Sequence, residues 1–434
     1  MRIALYTLGC KVNQFESQAI GEQFASRGHE IVPWREDAHI YVVNTCAVTS
    51  RAAAQSRQMI RRFRREHPEA KIIATGCHVQ TDASKLMKAA GGSICLAGND
   101  QKHRIVSLSL GSEECLEMYV GDIFSLRRIA PFMIHSPDER TRAFVRIQDG
   151  CQSFCSYCIV PFARGRSRSM PPDQVHEQVA ILASEGIREV VITGIHVGLY
   201  GQDLEQKTSL TSVLQSLCNE FPHVRFRLSS IDPSEIPDEM IEWAGSTENF
   251  CPHWHLPLQS GSDPILQAMN RKYDTHAFCS VVEKLRSAMP HAAIGIDIMT
   301  GFPGEGPDEF NATLRLVETL PVTYLHVFPY SRRPETVAAA MNGHVSKGQK
   351  TERARVLRQV GTRKKMEFYE RNIGTVRRLL LEKRDRDSGM WCGMTENYIS
   401  TVLAGSEQET GLQNCMMNVR LSAVSNGIVI AERV

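Results

Sequence analysis

The sequence predicts an α/β multidomain protein in three parts: a doubly wound parallel-sheet N-terminal domain, a partial (β/α)6 barrel, and a small C-terminal all-β domain of OB-like size. Three observations predict it. Short apolar runs alternate with helical stretches through the first hundred residues, as in a parallel sheet wound on both faces. A second alternating series occupies residues 143–328 with six strand–helix units, too few for a closed eight-stranded barrel. From about residue 372 the apolar period becomes two. A chain of 434 residues accommodates about three domains, with expected spans 1–135, 136–367 and 368–434.

In the first part, Ile3–Thr7, Ile40–Asn44 and Lys71–Thr75 read as strands. Helices are expected over Ser17–Arg27, stopped by Gly28, over about 49–66, stopped before Pro68, and near 82–90, stopped at Gly91-Gly92. Residues 115–140 read as irregular and end in a linker, His135-Ser136-Pro137-Asp138. The barrel strands are expected at Ala143–Gln148, Glu189–Thr193, Arg225–Ser229, His253–Leu256, Ala293–Met299 and Tyr324–Phe328. A basic helix follows over 346–371. Val376–Leu381, Tyr398–Leu403, Asn418–Val424 and Ile428–Glu432 read as strands of the last domain.

Apolar residues make up 42% and charged residues 23%, which excludes disordered and collagen-like classes. The apolar runs are far shorter than the ~20 residues a spanning helix needs, and the opening segment is too short for a signal peptide. A soluble, cytoplasmic protein without membrane contact is therefore expected. The net charge of +2 is no argument for nucleic acid, but its distribution is uneven. Residues 51–65 hold six arginines and no acid, and residues 346–365 hold eight Lys/Arg against Glu352. Each run suits a phosphate backbone or a solvated helix face.

Thirteen cysteines in such a chain point to metal or redox use rather than disulfides. Cys151, Cys155 and Cys158 form C-x3-C-x2-C just after the first barrel strand, at the face where barrel chemistry sits. Three thiolates on one loop can hold three irons of a cubane and leave the fourth open, whereas ordinary electron-transfer clusters use four cysteines. Zinc would want a fourth Cys or His at motif spacing. A second set is dispersed: Cys10, Cys46 and Cys77 each follow a strand, 36 and 31 residues apart, one βα unit each. Strand C-termini of a parallel sheet share one edge, so these thiols are expected to meet there. Geometry alone also allows three separate buried cysteines. Identical placement at three strand ends favours a site. The other seven cysteines, Cys95, Cys115, Cys218, Cys251, Cys279, Cys392 and Cys415, read as small apolar residues.

The two triplets together resemble the methylthiotransferase family of radical S-adenosylmethionine (SAM) enzymes, over essentially the whole chain. Thr7-Leu8-Gly9-Cys10-Lys11-Val12-Asn13-Gln14 is similar to the branch that modifies N6-threonylcarbamoyladenosine in tRNA. In the isopentenyladenosine branch Gln and Met usually stand where Lys11 and Val12 are, and in the ribosomal-protein branch Pro and Lys. Gly389 and Thr395-Glu396-Asn397-Tyr398 are similar to the pattern of the TRAM domain. Gln152 stands where relatives often have Asn. The resemblance implies two [4Fe-4S] clusters, one on Cys151, Cys155 and Cys158, which cleaves SAM, and one on Cys10, Cys46 and Cys77, which carries the sulfur. It also implies a tRNA anticodon loop as substrate, a reductant such as flavodoxin or ferredoxin, and a sulfur donor. Gly/Pro-rich loops after the barrel strands suit the amino, carboxylate, ribose and adenine groups of a cofactor, by resemblance SAM. From these loops Gly194, Ser229, Gln259 and Gly301 are expected at the cofactor, with Tyr157 beside the adenine or in the core. Many radical-SAM proteins have Glu after the glycine of the second-strand loop; here Ile195 follows Gly194, leaving the methionyl amine to other groups.

Overall fold

Strands β1 (Arg2–Thr7), β2 (Glu30–Val32), β3 (Ile40–Thr45), β4 (Lys71–Gly76), β5 (Cys95–Ala97) and β6 (Met118–Tyr119) make one parallel sheet in the order β2-β1-β3-β4-β5-β6. Helices α1 (Lys11–Ala25), α2 (Ser50–Glu66), α3 (Cys77–Ala90) and α4 (Ile105–Leu110) follow β1, β3, β4 and β5. Phe15, Phe24 and Ile105 pack with Ile3, Val42 and Ile73 on one face, and Met59, Phe63 and Leu86 with Ala4, Tyr41 and Ile72 on the other. The sheet is thus doubly wound, and β3, buried at every residue, reads as an unbroken apolar run. The computed structural model describes residues 1–91, 94–111, 118–135 and 141–434; most of the expected linker and Cys115 lie outside the described residues.

Two helices begin earlier than their sequences suggest. α1 starts at Lys11 rather than Ser17, because Asn13 and Glu16 are polar yet buried and break the amphipathic pattern. α3 starts at Cys77 itself, and a kink at Asp82 separates its first turn from the stretch legible in the sequence.

The second part begins with β7 (Arg142–Arg146) and a short pair, β8 (Gln148–Asp149) and β9 (Arg168–Ser169). Strands β10 (Glu189–Thr193), β11 (Arg225–Leu228), β12 (His253–Gln259), β13 (Ala293–Thr300) and β14 (Tyr324–Pro329) follow. They form parallel sheets β11-β10-β7 and β12-β13-β14, joined near a Phe226–Phe250 bridge, so the six expected strands make a barrel open between β7 and β14. Alternation along each strand sorts its side chains. Val145, Val190, Phe226, Leu256 and Ile296 join the apolar core. The opposite face is polar: Arg142, Arg146, Glu189, Arg227, His255 and Asp297 project to the barrel interior.

In the last part β15 (Val376–Arg384), β16 (Trp391–Thr395), β17 (Ser400–Leu403), β18 (Met416–Ser425) and β19 (Ile428–Arg433) close a five-stranded barrel in the order β15-β16-β17-β19-β18. Strand β16 was not expected. Its inward positions are Trp391, Gly393 and Thr395, and a Cβ at Gly393 would lie 1.9 Å from the Leu380 carbonyl oxygen. An inward glycine and threonine hide the alternation. The helix Lys347–Arg371 leads into this barrel and runs through the expected boundary at 367/368. Docking is polar and buried. Arg225 donates to the carbonyls of Arg378 (2.8 Å) and Met394 (2.9 Å), and Arg227 to that of Glu396 (3.0 Å). Glu189 binds both guanidiniums. Tyr398 stacks on His253, centroids 4.0 Å apart. Among the described residues, no helix is long and apolar enough to cross a membrane.

Candidate functional site

The parallel sheet brings the ends of β1, β3 and β4 to one edge, and with them Cys10, Cys46 and Cys77. Gly9 adopts φ +106°, and a Cβ there would lie 3.2 Å from Cys46 Sγ. Gly76 has φ +97°, and its Cβ would sit 2.4 Å from the Thr45 carbonyl oxygen. Both positions therefore need glycine to let the three loops close on each other. Burial pushes the Cys46 thiol up to about 12, with the nearby Cys77 and Cys10 adding to it. Burial also raises Cys10, opposed by Arg164. Asn99 Nδ2 donates to Cys77 Sγ at 3.9 Å.

Cys151, Cys155 and Cys158 share the loop after β8, as the spacing requires, and Phe154 at φ 45° turns it. Each of two thiols meets a cationic donor. His196 Nδ1 lies 3.4 Å from Cys151 Sγ, and His196 Nε2 lies 2.7 Å from Glu235 Oε1. Burial alone would lift the Cys151 thiol, but the His196 hydrogen bond and charge bring it below the ordinary thiol value. Burial works against the His196 cation, yet Cys151 and Glu235 raise it to about 10. Arg271 Nη1 donates to Cys155 Sγ at 3.4 Å while pairing with Asp232 at 2.5 Å. Among the described residues Cys158 has no such cationic donor bonded to it, and burial raises it to about 12. A donor set of three thiols, two of them facing cations, fits a thiolate-ligated iron–sulfur cluster.

The two cysteine sets are neighbours. Ile159 and Ala163, just after Cys158, form one small core with Ala47 and Cys77, and Asn99 Nδ2 donates to the Ala163 carbonyl at 2.7 Å. Arg164, six residues after Cys158, donates to Asn13 Oδ1 (2.5 Å) and Glu16 Oε1 (2.7 Å) on α1. Among the described residues, four buried cations, Lys102, Arg146, Arg164 and Arg168, surround two carboxylates, Glu16 and Asp149. Arg164 and Lys102 also feel Cys77. This excess of buried positive charge suits an anionic thiolate cluster on Cys10, Cys46 and Cys77.

The expected cofactor residues divide. Ser229 follows β11 directly and is buried, and among the described residues its hydroxyl has no partner, as a ligand site would leave it. Gln259, φ +66°, stands at the bulge closing β12. Gly194 is hemmed in by Gln148 and Val197, and Gln148 Oε1 accepts from the Ile195 and His196 amides. Gly301 donates to Glu305 Oε1, and a Cβ there would lie 2.2 Å from Lys350 Cγ. Tyr157 packs edge-on to Phe302 in a small apolar cluster that also contains Tyr330.

Sequence reading missed His196, Arg271, Arg164 and Glu235 as partners of the cysteine loops. His196 was legible only as part of a turn, and Arg271 carries no motif. It also missed the polar barrel interior, which the alternation Arg225/Arg227, His253/His255 and Tyr324/His326 encodes. There His255, Asp297 and His326 bring three ligand atoms within 4.8 Å of one another, a geometry able to hold a single ion. Tyr324 Oη links His253 Nε2 (2.7 Å) and His255 Nδ1 (3.1 Å).

The basic runs are partly structural. Arg62 and Arg65 pair with Glu66. In the long helix Arg353 is buried against Glu305, and Lys364 against the carbonyls of Glu318 and Leu320. Arg51 and Arg61 are exposed on the helix that follows Cys46.

Residues 2–98 match the uncharacterized protein family UPF0004, and residues 145–317 match the radical SAM superfamily. Among solved structures, the chain resembles a radical SAM methyltransferase, TsrM, from Kitasatospora setae. TM-score is 0.59 at 14% identity over 78% of this chain and 77% of that one, a likeness of fold alone. The chain is 36% identical over 414 residues to the threonylcarbamoyladenosine tRNA methylthiotransferase MtaB of Bacillus subtilis, 94% of this chain and 92% of that protein. Its identity to the MtaB of Aquifex aeolicus is 35%, covering 94% and 98%. A tRNA-2-methylthio-N(6)-dimethylallyladenosine synthase of Pelotomaculum thermopropionicum is 33% identical, covering 94% and 92%. Fold and cysteine loops define a radical SAM enzyme. The chain belongs to the radical-SAM methylthiotransferase family.

Proposed function

We propose that the protein converts N6-threonylcarbamoyladenosine, 3′ to the anticodon of tRNA, to its 2-methylthio derivative. The observation that carries this reading is the pair of cysteine triads joined through residues 158–164 at the mouth of a polar barrel. One triad would suffice to cleave SAM; the second calls for a second task, and sulfur insertion gives it one. The full-length similarity to the MtaB proteins supports the threonylcarbamoyl substituent.

In this reading Cys151, Cys155 and Cys158 hold one [4Fe-4S] cluster and Cys10, Cys46 and Cys77 the other. When bound, the groups supply what amino acids lack: a 5′-deoxyadenosyl radical able to take hydrogen from an unactivated C–H bond, and a methylated sulfur. The protein's share is positioning and electrostatics. His196 and Arg271 neutralise thiolate charge at the first triad. Arg164 does so at the second and ties both loops to α1, which fixes their separation. Ser229 and Gln259 are placed to meet SAM. A base splayed out of the anticodon loop enters between the triads, the exposed arginines of α2 meet phosphates, and the C-terminal barrel, a TRAM-type domain in this reading, braces the floor through Tyr398. An external reductant and a sulfur donor complete the cycle, and in this reading the domains divide at 135/136 and, within the long helix, at 367/368.

Nucleoside analysis of tRNA from a strain lacking the gene tests this. The 2-methylthio derivative of N6-threonylcarbamoyladenosine should vanish while its unmethylthiolated precursor accumulates. An unchanged profile, or loss of a different methylthiolated adenosine, would overturn the assignment.

A further inference from the structure

The first residue of α1 stands out by what it lacks. The cations on the inward face of the barrel are committed. Arg142 pairs with Glu382 at 2.7 Å, Arg225 and Arg227 share Glu189, and Arg146 is held by Glu16. Lys11 follows Cys10 directly, and its side chain is exposed. Among the described residues it makes no hydrogen bond and no ion pair. Its neighbours in the electrostatic field are Arg227, Arg142 and Glu189 on three barrel strands and the Cys10 thiol. His253, whose buried Nδ1 has no partner, also lies within its field. Glu189, the one carboxylate among these groups, is already bound by two guanidiniums. The place is therefore a cationic corner of the barrel interior beside the second triad, with one ammonium free to bind.

We infer that Lys11 recognises the threonine carboxylate of the substrate and so selects an acidic N6 substituent over a neutral one. The inference rests on the function proposed above. N6 and C2 flank N1 on one edge of the adenine ring. A urea-linked substituent that folds back toward N1 therefore carries its terminal carboxylate to the side where C2 must meet the sulfur. Cys10 and Lys11 are consecutive, so one turn of chain presents the sulfur site and the cation together. A carboxylate that gives up part of its hydration at this corner without meeting a cation would do so uncompensated. Charge-assisted hydrogen bonds to ammonium are among the stronger polar contacts.

The test compares two synthetic anticodon hairpins, one carrying N6-threonylcarbamoyladenosine and one carrying its neutral threoninamide analogue. Each is methylthiolated by the reconstituted protein and by its Lys11→Gln and Lys11→Arg variants. The unaltered protein should favour the acid by about 10- to 100-fold in kcat/KM, the scale of one hydrogen bond to a charged group. The preference should appear mainly in KM. Lys11→Gln should reduce it to within about threefold, and Lys11→Arg should keep most of it, since the charge remains. Hairpin binding without turnover reads the same preference should a variant load less iron. Equal efficiencies for both hairpins in the unaltered protein, or an undiminished preference in Lys11→Gln, would overturn the role of Lys11. Failure of the unaltered protein to methylthiolate either hairpin would instead overturn the function from which the inference starts.

Discussion

Cys46→Ala should yield a protein that still releases 5′-deoxyadenosine from SAM but makes no detectable methylthiolated nucleoside. Cys46 sits at the end of β3, buried beside Gly9, remote in sequence from the C-x3-C-x2-C loop. His196, Arg271 and the loop Cys151–Cys158 remain untouched, so the first triad keeps its donors. Product should fall by more than about a hundredfold, beyond the effect of losing a partner that only orients a metal ligand. Iron should fall to about half, the share of one four-iron cluster out of two. Full product from this variant would make the N-terminal triad structural at most. Loss of 5′-deoxyadenosine along with product would show that the two loops cannot be loaded separately.

Glu16→Gln should destabilise the fold by about 3–5 kcal/mol, the range for removing one partner of a buried ion pair. Glu16 is 2% exposed and accepts from Lys102 (2.5 Å), Arg146 (3.0 Å) and Arg164 (2.7 Å). Burial opposes its charge, but Arg164, Lys102 and Arg146 together hold the carboxyl far below the ordinary range. A depressed folded value fixes the sign of the pH dependence. The carboxylate's contribution is complete above the unfolded Glu value of about 4.3 and is lost as pH falls below it toward the folded value. Urea unfolding at neutral and acid pH checks both points. The unaltered protein should lose stability as pH drops below about 4, and Glu16→Gln should lose less over the same interval. Because Glu16 joins α1 to Arg164, the variant should also load less iron. Equal stability of the two proteins at neutral pH would mean that Asp149 alone satisfies the guanidiniums.

Much of this was legible in the sequence. The strands carrying Cys10, Cys46 and Cys77 announce themselves because a parallel strand buried on both faces is a plain apolar run. The C-x3-C-x2-C loop is legible because its ligands are contiguous. Illegibility has physical causes as well. Glu16, Asn13, Arg146 and Arg164 are buried polar residues, so each obscures the amphipathic pattern of its own element while organising the site in space. His196 and Arg271 reach the cysteines from loops 45 and 116 residues away in sequence, and no local spacing encodes such a meeting. Strand β16 was hidden because Gly393 occupies an inward position where only a hydrogen atom fits. The run 346–365 looked like a single basic surface, yet the helical period turns Arg353 and Lys364 inward.

The measurement that bears most directly on the whole account is a single incubation of the reconstituted protein. It would contain reductant, SAM carrying a trideuterated methyl group, and an anticodon hairpin with N6-threonylcarbamoyladenosine. 5′-Deoxyadenosine should form together with a nucleoside in which the C2 hydrogen is replaced by a trideuterated methylthio group. Formation of 5′-deoxyadenosine with the adenosine unchanged, or methylation without sulfur, would contradict the account.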